Sequence, residues 1–146
     1  MSDVWTWYGW RCGHALRRDP AHHQALPADE CALRRLLTRV ARRRGRWLVV
    51  DASNGRTFGQ CFAVGHGLLG VELSAAPLDN VVWPLQPLPA PELPAAVRLR
   101  NTGKSLPVWC PPRALYDVRG ATNLIARHLA GHLLPPGYEE RRVDVR

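Results

Sequence analysis

Three groups of side chains in this sequence carry residue types that chemistry needs. His128 and His132 stand four apart in a segment that reads as helix, which sets two imidazoles on one face as a metal site uses them. Leu129 follows the first histidine, where a metalloprotease helix would carry glutamate. Cys12, His14, His22, His23 and Cys31 supply enough nitrogen and sulfur for zinc, in spacings unlike a common finger or ribbon. Cys61 and His66 are a thiol and an imidazole close in sequence, but the Gly65-His66-Gly67 turn sets them on either side of it rather than opposed. Carboxylates are few. Asp51, at the end of a strand, is the best single candidate for acid–base work, and Asn54-Gly55 just beyond it gives it the reading of a turn residue. No GxGxxG or Walker pattern indicates a nucleotide cradle.

Recognition residues outweigh these chemical ones. Lys104 is the one lysine among 20 Lys and Arg, leaving nineteen arginines, and six tryptophans accompany them in 146 residues. Arginine offers a planar fork of donors and tryptophan a large amphipathic face, and both are enriched at binding hot spots. The formal charge of +8 favours an acidic partner, whether a protein face, nucleic acid or an anionic surface. The low lysine count beside abundant alanine, arginine, proline and leucine also fits the codon usage of a high-GC genome.

The length fits one domain over residues 1–146, long enough for a core without staples. No apolar run approaches the roughly 20 residues that span a bilayer, and Met1-Ser2-Asp3-Val4-Trp5 lacks the pattern of a secretory signal. A cytoplasmic location without membrane contact is the expectation, with the four scattered cysteines reduced.

Periodicity places the elements that would position these residues. Residues 3–11 read as a strand, with Trp5 and Trp7 on one face and Val4, Thr6 and Tyr8 on the other. Residues 12–27 read as loop. A helix follows Asp29, its apolar stripe formed by Leu33, Leu36, Leu37 and Val40 and its end marked by Gly45. Trp47–Asp51, Thr57–Val64 and Leu68–Leu73 form three consecutive antiparallel strands turned at Asn54-Gly55 and Gly65-His66-Gly67. Val81–Trp83 reads as a fourth strand, with Trp47 and Trp83 in apolar settings that bury them in whole or part. A Pro-rich loop spans 84–94. Ala96–Arg100 and Leu106–Cys110 read as a hairpin, Asp117–Leu133 as a second helix, and Val143–Val145 as a terminal edge strand. The fold class is α+β: an antiparallel sheet of about six to seven strands with two main helices packed on it.

The series Trp47-Leu48-Val49-Val50, Asn54-Gly55, Phe62-Ala63-Val64 and Gly70-Val71-Glu72-Leu73 has a helix after it that leads into Leu134-Pro135-Pro136-Gly137-Tyr138-Glu139. In this it resembles the immunity proteins of bacterial polymorphic-toxin systems, the first-numbered family among them. The resemblance covers about two thirds of the chain and implies a small α+β fold that neutralises a toxin by covering its active surface. Because this chain is basic, the resemblance implies either an acidic toxin surface or a member reused in another role, such as an accessory protein in a biosynthetic operon.

The sequence therefore reads as a non-enzymatic protein-binding module without a cofactor, immunity-like, whose partner is a protein with an acidic face. Trp5, Trp7, Arg11, Arg35 and Arg39 are the expected contacts, at least one of Trp5, Trp7 and Trp10 being partly exposed as an anchor. Two alternatives stand beside it: a nucleic-acid-binding accessory protein using the basic Arg34–Arg46 helix, and a small enzyme or zinc protein using the Cys12–Cys31 cluster or the His128/His132 pair.

Overall fold

A computed structural model describes residues 4–9, 23–75, 80–87, 97–99 and 108–143; for 97–99 and 108–109 it describes the backbone alone. The architecture is α+β. Strands β1 (Val4–Gly9), β2 (Gln24–Pro27), β3 (Trp47–Asp51), β4 (Phe58–Gly65), β5 (Leu68–Ala75), β6 (Asn80–Leu85) and β10 (Glu139–Arg142) form an antiparallel sheet in the order β10-β6-β5-β4-β3-β1-β2. The short β9 (Leu115–Tyr116) pairs with β5 off this path. A separate two-stranded sheet joins β7 (Val97–Leu99) to β8 (Val108–Cys110). Helices α1 (Glu30–Ala41) and α2 (Val118–Leu129) pack on one face of the main sheet.

Strand alternation sorts the side chains. Trp5, Trp7, Leu48, Val50, Cys61, Ala63, Leu69, Val71 and Leu73 join the helix stripes in the largest core cluster. The other face of the same strands gathers Tyr8, Val49 and Phe58, with Trp47 and Val81 against them. Small residues on β4 let the helices come close. A Cβ at Gly59 would lie 3.0 Å from Ile125 Cγ2, so glycine there sets how near α2 sits.

Turn chemistry fixes the meander. Asn54 Oδ1 accepts from the backbone N–H of Arg56 and of Thr57, at 2.8 and 2.9 Å, and Ala52 N donates to Thr57 O at 2.8 Å to close the loop. The next turn places His66 and Gly67 at φ 55° and 73°, both left-handed as a type I′ hairpin turn requires.

Each helix begins at an aspartate. Asp29 Oδ1 accepts from Ala32 N at 2.8 Å, and Asp117 Oδ1 accepts from Gly120 N at 2.7 Å. Leu33, Leu36, Leu37 and Val40 are buried as one stripe of α1. That helix stops at Ala41, ahead of Gly45, and Arg46 Nη1 reaches back to Arg39 O at 2.6 Å.

Four boundaries differ from the sequence reading. Gln24–Pro27 is an edge strand on β1, not loop, because tertiary pairing supplies what a short Pro-ending segment does not signal. Helix α2 ends at Leu129, not Leu133. Gly131 at φ 85° lets Gly131 N donate to His128 O at 3.0 Å and His132 N to Arg127 O at 2.9 Å, a Schellman closure, and Leu133 beyond it is 86% exposed. The last strand among the described residues is Glu139–Arg142, and Val143 lies past its end; Asp144 and Val145 of the expected Val143–Val145 strand lie outside the described residues. The Pro-rich segment starts inside a strand: Pro84 lies in β6 past the point where β5 leaves it for β9, and its carbonyl accepts from Tyr116 Oη. Residues 88–94 of that segment, and residues 100–107 that join the two strands of the expected hairpin, lie outside the described residues.

Candidate functional site

The outer face of α1 and the segment just past it carry the densest run of arginines in the sequence. Arg34, Arg35 and Thr38 are exposed on that face, and Arg42, Arg43 and Arg44 continue the run past the helix end, also exposed. These five arginines form no ion pair with any described residue. The periodicity that buries Leu33, Leu36, Leu37 and Val40 leaves the intervening positions facing water, and arginine fills most of them. Glu30 is the one carboxylate in the first turn. Arg35 and Arg39 stand four apart, so their like charges face one another along the helix. Arg39 is half-buried and has bonding of its own.

The expected aromatic anchors are elsewhere. Trp5 and Trp7 are 6% and 5% exposed and lie within the core between sheet and helices. They offer almost no area to a docking protein. Trp10 and Arg11 lie outside the described residues. Trp47 is half-buried and meets Tyr8 edge-on at 5.9 Å, and Trp83 is buried.

The metal and nucleophile candidates disperse. Cys12, His14 and His22 lie outside the described residues. His23 stacks on Tyr8 with ring centroids 4.8 Å apart, while Cys31 is exposed on α1. Among the described residues no set of three His, Cys, Asp or Glu side chains is placed to hold a metal ion. Cys61 is fully buried, and desolvation pushes its thiol far above the usual range; His66 sits exposed at its turn. Asp51 is half-buried at the end of β3 with bonding of its own.

His128 and His132 do meet, though not on one helix. His128 is in the last turn of α2, and His132 follows the Schellman closure. Both line a cavity of about 240 Å³ with Arg127, Glu140, Thr57 and the apolar Leu73, Val82, Leu124, Leu133, Leu134 and Pro135. His128 Nε2 lies 2.9 Å from Ser74 Oγ, which also accepts from Phe58 N at 2.9 Å. Desolvation holds His128 below its ordinary pKa; Glu140 and Ser74 oppose this more weakly, so the ring is neutral at pH 7. The Ser74–His128 pair has the spacing of a nucleophile and its base. Neither of the bonds that His128 and Ser74 form involves a carboxylate to orient the ring.

Arg127 Nη2 donates to Leu133 O at 3.1 Å, and its buried Nε has no partner. Sequence reasoning picked out the two histidines but missed Ser74, Arg127 and Glu140. Gly131, four residues past Arg127, was the signal of a helix end that the sequence reading set at Leu133, whereas Ser74 and Glu140 reach the cavity through strand pairing that leaves no local signal.

Comparison with protein-family models, with curated proteins and with solved structures yields no match. Among the described residues no helix is long and apolar enough to cross a membrane.

Proposed function

We propose that this chain is a non-enzymatic, cytoplasmic protein-binding module, immunity-like in action, that covers the active surface of a partner with an acidic face, such as a toxin. One observation carries the reading: five exposed arginines on and just past α1, without an ion pair among the described residues. A fold does not need uncompensated like charge; within α1 the pair of one sign at i,i+4 is Arg35/Arg39, which costs roughly 0.2–0.5 kcal/mol, and the remaining arginines add a cationic field around it. Carboxylates on a partner would relieve that repulsion, steer the encounter and fix orientation. Arg35 and Arg39 remain contact candidates. With Trp5 and Trp7 inside the core, the contact falls to the arginines.

Capture by the untagged protein from lysate of its native host, at moderate salt and with or without nuclease, tests the reading. One stoichiometric acidic protein that survives nuclease supports it. Loss of all bound material after nuclease overturns it in favour of nucleic acid on the Arg34–Arg46 segment.

A further inference from the structure

The cavity at the end of α2 is independent of the cationic face of α1. Half of its twelve lining residues are apolar, Leu73, Val82, Leu124, Leu133, Leu134 and Pro135, which favour an apolar body. Its size is small. A cavity of about 150 Å³ is enough for benzene, so about 240 Å³ takes a single ring with a short chain attached.

Its cation is Arg127. A guanidinium carries five N–H donors, and the bonds of Arg127 to described residues use only Nη2, leaving the buried Nε without a partner. A buried donor left unmatched is costly, and a planar fork matches a carboxylate better than any other small anion short of phosphate. His128 is neutral, so it adds shape and a polar edge without charge. His132 and Glu140 are exposed at the rim, where water screens them. Leu133, 86% exposed, stands at the same rim as apolar surface that a bound ligand would cover.

We infer that this cavity binds a small monocarboxylic acid with an apolar body about one ring in size, its carboxylate on Arg127 and its ring against Leu73, Leu124 and Leu134. The Schellman closure at Gly131 builds the site by turning Leu133–Pro135 back over the helix end, while the Leu133 carbonyl holds the guanidinium in place. Glu140 weakens binding by like charge.

Titration of 3-phenylpropionate into the full chain, followed by the Arg127 Nε–H resonance and by calorimetry, is the test. The expected result is saturable one-to-one binding that moves that resonance. Arg127→Gln removes the charge and both Nη donors, the one that holds the Leu133 carbonyl included, and should weaken binding at least about tenfold. Glu140→Gln, on an exposed edge, should strengthen it about twofold, which keeps the inference testable where Arg127→Gln does not fold. No saturation by millimolar acid, equal affinity for phenethylamine, or weaker binding in Glu140→Gln would each overturn it. None of these outcomes bears on the arginines of α1, so this inference and the proposed function fail separately.

Discussion

Helices α1 and α2 are built to the same plan and differ in what they do with their polar residues. Each has 12 residues, an aspartate at its N-cap and one apolar stripe against the same sheet. Thr38 and Thr122 make the same bond to the carbonyl one turn back, and α2 too has exposed polar side chains, Arg119 and Asn123. But two side chains of the last turn of α2 bond beyond the helix, His128 to Ser74 and Arg127 to the Leu133 carbonyl. In α1 the arginines point to water, and of those named above only Arg39 is engaged. One helix uses its polar groups to finish the fold and shape a cavity. The other carries charge that the fold does not use.

The stripes should be equivalent, and this is the largest effect. Leu37→Ala and Ile125→Ala each remove a fully buried side chain and should each cost about 2–5 kcal/mol in urea unfolding. A much smaller loss for Leu37→Ala would mean that α1 is not docked as α2 is.

Helix ends separate the two next. Gly131→Ala places a Cβ at φ 85° and should cost about 1–2 kcal/mol, with loss of the cavity's Leu133–Pro135 wall. No residue within 4 Å would meet that Cβ, so the cost is backbone strain alone. A neutral outcome would show that the closure is not held as described.

Acid should act through α2. Burial lowers the pKa of His128 in the folded state below its ordinary 6.5, so below that pH the unfolded chain binds a proton that the folded chain resists. The contribution of His128 to instability is absent above about pH 6.5, grows as the pH falls through that value and levels off below the folded-state pKa. Urea midpoints at pH 7 and pH 5 should therefore differ more in the parent than in His128→Asn. An identical difference in both would remove His128 as the cause.

The smallest effect on stability belongs to α1. Arg34→Ala and Arg35→Ala should leave unfolding within about 0.5 kcal/mol of the parent. A large loss would mean these arginines serve the fold and would erase the contrast between the helices.

The elements themselves were legible because they rest on local rules. The stripe Leu33-Leu36-Leu37-Val40, the Asp29 cap and the turns at Asn54-Gly55 and Gly65-His66-Gly67 depend on neighbours within a few residues, and each forms where sequence placed it. What depended on partners distant in the chain was not legible. β2 exists because β1 pairs with it, and Pro84 is tolerated because β5 has already turned to β9. Trp5 and Trp7 were placed correctly on one strand face, but only the packing of α1 and α2 over that face makes it an interior one. His128 and His132 were paired by a helical spacing that Gly131 breaks; a turn and a strand bring them to one cavity instead, together with Glu140.

The central claim is that the arginines of α1 serve a protein partner, and charge reversal tests it most directly. Arg34→Glu/Arg35→Glu and the parent would be compared for capture of the same partner from nuclease-treated host lysate across a salt series, with folding checked by urea midpoint. The account predicts an unchanged midpoint, capture by the parent that weakens with salt, and no capture by the reversed chain. Equal capture by both chains would contradict it.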